Sequence, residues 1–118
     1  MSTNILFVDD ELIYREQYGA ALAKAGFTVV FAKDGEEAIA KIQEQRPDLI
    51  VVDFVMPIIS GLSLLKKIQR KRIPTIVLTN LDGQTDREDA LALGVKEVCT
   101  KSEVNPTLLA EKIQRLFS

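Results

Sequence analysis

Histidine is absent from this chain of 118 residues, and cysteine occurs once, at Cys99. Without histidine, the chain cannot contain a histidine general base, a Ser-His-Asp triad or a histidine-ligated zinc ion. A lone cysteine cannot form an internal disulfide, which is typical of the cytoplasm, and we expect Cys99 to be a buried small hydrophobe. These absences predict a cytoplasmic protein without histidine-based chemistry.

Long apolar runs, repeats and an excess of charge of one sign are also missing. No run approaches the roughly 18–20 apolar residues that a membrane span needs. Four apolar residues before Asp9 are too few for a signal peptide. Fifteen Lys and Arg against seventeen Asp and Glu give a net charge of −2, which argues against a broad nucleic-acid surface. We therefore predict one domain, residues 1–118, without membrane insertion or direct nucleic-acid binding.

Five short apolar runs alternate with longer helical patterns. The first, third and fourth runs are continuous and β-branched, as in parallel strands that are buried on both faces, whereas the second and fifth carry polar residues, as edge strands do. Five βα units predict an α/β fold, a doubly wound parallel sheet with the flavodoxin-like order 2-1-3-4-5. The predicted strands are Ile5–Val8, Phe27–Phe31, Leu49–Val52, Thr75–Leu78 and Val95–Cys99.

Capping residues predict where several helices begin. Asp34 with Glu37 and Thr85 with Glu88 have the spacing of a capping box, and Asn105 precedes a proline at the start of the last helix. The apolar residues of that last helix recur at helical spacing and predict its buried stripe. They are Leu109, Ile113, Leu116 and Phe117.

Polar residues follow the predicted strands at the carboxyl edge of the sheet, where such folds bind ligands. Asp9 and Asp10 follow the first strand, Asp53 follows the third, and Thr79 and Lys101 follow the fourth and fifth. Strands one and three are neighbours about 4.8 Å apart, so three carboxylates converge. Close carboxylates repel each other, and Lys101 supplies only one positive charge, so a hard divalent cation such as Mg²⁺ is indicated. The residues predict a Mg²⁺-dependent phosphoryl site with an aspartate nucleophile as one candidate.

This ordered set resembles the receiver domain of two-component response regulators, the CheY-like superfamily, over essentially the whole chain. The matching residues are Asp9-Asp10, the segment Asp53–Gly61 with its Met-Pro pair and final glycine, Thr79 and Lys101. The set is more discriminating than any one of its motifs.

The resemblance implies that Asp53 accepts a phosphoryl group from a histidine kinase or a histidine phosphotransfer protein. It implies that the Thr79 hydroxyl bonds the phosphoryl group and that Lys101 pairs with it. It also implies a signalling domain that catalyses only its own phosphorylation and dephosphorylation, rather than an enzyme. The implied Mg²⁺ ligands are Asp9 (largely through water), Asp10 (directly), Asp53 and the backbone carbonyl of Val55.

Three positions depart from the family pattern. Ser102 stands where proline usually follows the lysine, Asn80 where a small residue follows the threonine, and Val98 where strand five usually has Tyr or Phe. A cis peptide bond before a residue other than proline costs about 3–4 kcal/mol, so we expect a trans bond between Lys101 and Ser102.

The resemblance implies an output surface on helix four, strand five and helix five, for a downstream protein or a second copy. With valine at position 98, we expect backbone position to carry the signal there.

Two other functions stay open at this point. The fold could serve as an interaction module that works without phosphorylation, although such domains usually lose an acidic residue or the lysine. It could also bind a flavin or nucleotide, but that function needs a first loop rich in Gly, Ser or Thr, where this chain has Asp9, Asp10 and Glu11. Both a stand-alone regulator and a receiver excised from a longer protein fit the sequence.

Overall fold

The fold is a parallel five-stranded sheet with helices on both faces, seen in a computed structural model that describes residues 3–53, 61–80 and 84–117. The strand order is β2-β1-β3-β4-β5, as predicted. The strands are β1 (Asn4–Val8), β2 (Thr28–Ala32), β3 (Leu49–Val52), β4 (Thr75–Thr79) and β5 (Glu97–Thr100). The helices are α1 (Leu12–Lys24), α2 (Gly35–Glu44), α3 (Gly61–Gln69), α4 (Gln84–Ala92) and α5 (Pro106–Leu116).

The sheet separates two apolar cores because successive strand side chains point to opposite faces. In β1, Ile5 and Phe7 join the core beneath α1 and α5, while Leu6 and Val8 join the core beneath α2, α3 and α4. All four are nearly inaccessible to solvent. This two-sided burial explains why the central strands are continuous apolar runs in the sequence. Within the described ranges, no helix has the length and apolar character to cross a membrane.

Side-chain caps start two of the helices as predicted. The Asp34 carboxylate accepts a hydrogen bond from the Glu37 N–H at 2.8 Å, and the Glu37 carboxylate accepts one from the Lys33 N–H at 3.0 Å. The Asn105 side chain accepts a bond from the Leu108 N–H at 2.7 Å. The bonds from the Glu37 and Leu108 N–H groups satisfy first-turn donors that have no partner within the helix, and the bond from Lys33 lies just before the N-cap of α2.

Three predictions about local structure are wrong. Strand β5 begins at Glu97 instead of Val95, because the Val95 N–H bonds back to the Ala90 carbonyl at the end of α4. Helix α4 already begins at Gln84, so Thr85 lies inside the helix and is not its N-cap. Leu116 and Phe117 are predicted to complete the apolar stripe of α5. They are 47% and 44% exposed, because they lie at the end of the helix and no core residue of the described ranges covers them there.

Cys99 is buried on β5, as predicted, with 4% of its surface exposed. Burial raises the pKa of its thiol to about 11. The thiol therefore stays protonated at neutral pH and acts as a small apolar side chain in the core beneath α1 and α5.

Gly19 lets α1 approach the neighbouring strand β2 closely. A Cβ added at this buried glycine would overlap the ring of Phe31, which meets the Phe7 ring edge to face at a centroid distance of 6.4 Å. The missing side chain at Gly19 thus makes room for a partly exposed aromatic ring that covers the edge of the core.

We expect Gly19→Ala to lower the free energy of unfolding by about 1 kcal/mol, because the Phe31 ring must move to admit the methyl group. In a Phe31→Ala background, the same change should raise it by about 0.5–1 kcal/mol, the usual gain of alanine over glycine in a helix. Urea unfolding of the four proteins measures both effects. Equal effects in the two backgrounds would show that Phe31 is not the reason for glycine here.

Candidate functional site

Three carboxylates meet at the carboxyl edge of the sheet, as the sequence predicts. Asp9 and Asp53 directly follow β1 and β3, which pair side by side, and both are buried. Asp10 is exposed beside them. One oxygen of each carboxylate lies within 4.8 Å of the others. Parallel neighbouring strands that end at the same level therefore bring these three acids together.

The ammonium group of Lys101 bridges the two buried carboxylates. Its Nζ lies 2.7 Å from Asp9 Oδ2 and 3.0 Å from Asp53 Oδ2, and its side chain is only 2% exposed. Burial opposes the charged lysine, but the hydrogen bond to Asp9 and the attraction of both carboxylates outweigh it, so the pKa of Lys101 is raised. Burial also raises the pKa of Asp9, while its bonds from Lys101 and from the Glu11 N–H act in the opposite direction.

The loop after β5 holds Lys101 in this position through backbone bonds. The Lys101 N–H donates to the Thr79 carbonyl at the end of β4, at 2.8 Å. The Tyr18 hydroxyl of α1 donates to the Val104 carbonyl at 2.6 Å. The structure describes no cis peptide bond, so the bond between Lys101 and Ser102 is trans, as predicted. The lysine thus reaches both carboxylates with an ordinary trans peptide after it.

Thr79 is buried at the carboxyl end of β4, the strand between β3 and β5. Its register partner on β5 is Thr100, the residue before Lys101. The structure therefore brings Thr79 to the same edge as Asp53 and Lys101. Val55, the predicted backbone ligand, lies outside the described residues, so its role stays a prediction.

The two neighbouring acids, Asp9 and Asp10, differ in how their oxygens are used. Asp9 Oδ1 accepts the Glu11 N–H at 3.0 Å, and Asp9 Oδ2 faces Lys101. The Asp9 carbonyl also accepts a bond from Arg15 at 2.7 Å. Within the described parts of the chain, no hydrogen bond or ion pair involves the Asp10 side chain. Asp10 is therefore the acid whose oxygens remain open to an added cation.

The donor set fits a hard divalent cation. Carboxylate oxygens are the ligands that Mg²⁺ and Ca²⁺ prefer, and Mg²⁺ commonly takes one or two of them together with waters. With all three acids ionised, one ammonium leaves the cluster two positive charges short of neutrality. This acidic cluster could therefore hold a metal ion.

Sequence reasoning missed one residue of this site, Tyr14. The Tyr14 ring centroid lies 3.8 Å from Lys101 Nζ. From the sequence, Tyr14 is predicted only to lie on the apolar stripe of the first helix. The contact joins two segments distant in the chain, α1 and the loop after β5, so no local spacing could have revealed it.

Comparison with known proteins places this arrangement in a family. The sequence model of the response regulator receiver domain matches residues 5–114. A gliding motility regulatory protein of Myxococcus xanthus is 37% identical over 116 residues, and response regulator RR06 of Streptococcus pneumoniae is 39% identical over 115. The alignments cover 95% and 97% of this chain, but 15% and 52% of those relatives. The chain thus spans about half or less of the length of these curated relatives.

Solved structures agree with this family. Chemotaxis response regulator CheY4 of Vibrio cholerae has a TM-score of 0.88 at 31% identity, with 98% of this chain and 99% of that chain covered. A CheY-like receiver domain protein of Methanospirillum hungatei has a TM-score of 0.92 at 28% identity, covering 98% and 94%. This chain is a receiver domain of the two-component response regulator family.

We expect Asp10→Asn to stabilise the protein in EDTA by on the order of 1 kcal/mol, because it relieves repulsion among the three carboxylates. Mg²⁺ should raise the melting temperature of the original protein by binding its folded state. That increase should be lost in Asp10→Asn and only partly reduced in Asp9→Asn, since Asp9 already serves Lys101 and the Glu11 N–H.

Thermal unfolding with and without Mg²⁺ checks these effects. Glu16→Gln, which removes the same charge from an exposed position on α1, is the matched control and should change stability by less than about 0.5 kcal/mol. A destabilised Asp10→Asn protein in EDTA, or a larger loss of the Mg²⁺ effect in Asp9→Asn, would contradict the roles given to these two acids.

Proposed function

We propose that this receiver domain accepts a phosphoryl group on Asp53 from a phosphorylated histidine of a kinase or phosphotransfer protein. The supporting observation is the Lys101 ammonium, which bonds Asp53 at 3.0 Å and Asp9 at 2.7 Å within a cluster of three carboxylates. Family membership supports the same proposal, because response regulators receive phosphate from histidine kinases. The domain acts as a signalling switch and not as a conventional enzyme.

The proposed reaction transfers a phosphoryl group from nitrogen to oxygen. A carboxylate oxygen of Asp53 attacks the phosphorus and forms an O–P bond, giving an acyl phosphate. The P–N bond of the phosphohistidine breaks, and its electron pair stays on the imidazole nitrogen of the donor, which then takes up a proton. Lys101, already bonded to the acceptor, pairs with a phosphoryl oxygen, and the Thr79 hydroxyl donates to another.

Asp9, Asp10, the acceptor Asp53 itself and the backbone carbonyl of Val55 would hold Mg²⁺ in this site. When bound, Mg²⁺ supplies positive charge to the phosphoryl oxygens and offsets the repulsion among the acids. Asp10 is the direct ligand in this proposal, because Asp9 already accepts bonds from Lys101 and from the backbone. Asp9 then acts largely through metal-bound water.

Location and the alternative function belong to the same proposal. We assign the domain to the cytoplasm, consistent with its one cysteine, which is buried and protonated.

An interaction module without phosphorylation remains the competing function, and phosphoryl uptake distinguishes the two. The five residues with proposed roles in uptake are all present. They are Asp9, Asp10, Asp53, Thr79 and Lys101.

Asp53→Asn should abolish Mg²⁺-dependent uptake of a phosphoryl group from acetyl phosphate, because the amide cannot form the acyl phosphate. Intact-mass spectrometry measures the uptake. Asp89→Asn, the same change at an exposed residue of α4, is the matched control and should keep it. Uptake in Asp53→Asn equal to that of the original protein would disprove the assignment, and no uptake in any protein would favour the interaction module.

The output surface that we propose lies on α4, β5 and α5. Val98 is buried in the core beneath α2, α3 and α4, and its carbonyl accepts a bond from Arg87 of α4 at 2.9 Å. On the other side of β5, Glu97 pairs with Lys112 of α5 at 2.6 Å. These contacts link both helices to β5. A short β-branched side chain at Val98 has little surface to expose or withdraw, so a shift of the backbone is the available signal.

Activation should therefore move the segment from Asn80 to the start of α4, with little change of rotamer at Val98. Crystal structures with and without beryllofluoride, a phosphoryl mimic, check this expectation. A change confined to side chains of β5, with residues 80–90 unmoved, would refute it.

A further inference from the structure

The Lys101 ammonium has a third neighbour besides its two carboxylates. Two of its three N–H groups serve Asp9 and Asp53, at 2.7 and 3.0 Å. The Tyr14 ring centroid lies 3.8 Å from the same nitrogen, and the lysine side chain is 2% exposed. The three donors of the ammonium are therefore matched by two anions and the negative face of an aromatic ring.

The Tyr14 ring is the outer member of an aromatic row formed by Tyr14, Tyr18 and Phe7. Tyr14 packs on Tyr18, one turn later in α1, with ring centroids 6.3 Å apart. Tyr18 stacks on Phe7 of β1 at 5.8 Å, and its hydroxyl bonds the Val104 carbonyl. The row thus joins the buried sheet to the loop that carries Lys101. Tyr14 is itself partly buried and packs against this core, so its ring is supported on the side away from the ammonium.

We propose that Tyr14 is a positioning residue for Lys101, acting through the face of its ring. The ring shields the N–H that neither carboxylate uses and so directs the ammonium toward Asp9 and Asp53. This inference rests on the proposed phosphoryl transfer only for its consequence: a lysine held in place beside Asp53 is ready to meet the incoming phosphoryl oxygens.

The chemistry of the ring, and not its bulk alone, carries the proposed role. Phenylalanine keeps the aromatic face and loses only the hydroxyl, whereas leucine and methionine keep apolar volume without that face. Tyr14→Phe should therefore behave like the original protein, and Tyr14→Leu and Tyr14→Met should not. Phe31→Leu is the matched control, because it removes a partly exposed aromatic ring that contacts Phe7, at the end of the row away from Tyr14.

The first experiment observes the resting protein without a phosphoryl donor. Lysine-selective ¹⁵N NMR measures how fast the Lys101 ammonium hydrogens exchange with water, in EDTA and at a temperature where every variant is folded. We expect exchange to quicken by about 2- to 30-fold in Tyr14→Leu and Tyr14→Met and to stay unchanged in Tyr14→Phe and Phe31→Leu. Unchanged exchange in the leucine and methionine variants, or faster exchange in Tyr14→Phe or Phe31→Leu, would overturn the inference.

The second experiment measures the rate of phosphorylation by acetyl phosphate with saturating Mg²⁺. We expect a decrease of about 2- to 30-fold in Tyr14→Leu and Tyr14→Met, in proportion to the loss of protection, and recovery in Tyr14→Phe. Faster hydrogen exchange without slower phosphorylation would overturn the positioning role. Asp53→Asn tests the proposed function separately, since its failure leaves the resting-state NMR result intact.

Discussion

The bridge from Lys101 to Asp9 and Asp53 is the interaction on which the site depends, because it ties together three strand ends. The acids follow β1 and β3, and the lysine follows β5. Burying these charges without partners would cost several kcal/mol for each ion, so the carboxylates tolerate burial only while the ammonium lies between them. The bond from the Lys101 N–H to Thr79 adds β4 to the same arrangement.

This bridge needs a scaffold that fixes the strand ends, and two-sided burial of the sheet provides it. Val8 and Val52 are register partners, and each is followed directly by a buried acid of the cluster. A slip of one residue would move the apolar side chains to the wrong faces and separate the acids from Lys101. The residues that stabilise the sheet thus also set the spacing of the charges.

The sequence predicts the sheet and the acidic cluster because both depend on patterns within short segments. Five apolar runs and the rules for parallel sheets favour this strand order, and the residues after each run then share one edge. Tyr14 escapes such reasoning because its contact with Lys101 depends on how α1 packs beside the loop after β5. The exposed Leu116 and the early start of α4 likewise depend on where tertiary packing ends, which helical periodicity does not encode.

In the proposed function, the shortage of positive charge makes the acidic cluster the part of this well-packed fold that an added phosphoryl group would disturb most. One ammonium serves two buried carboxylates while Asp10 stays exposed beside them, so any added anion must be balanced by a cation or by new donors. Lys101 cannot turn toward a new anion without changing its bonds to Asp9 or Asp53. Its loop is tied to Thr79 and Tyr18 by hydrogen bonds, so in the proposed function that change would extend to the end of β4 and the start of α5. A signal carried in this way would need no large side chain at Val98.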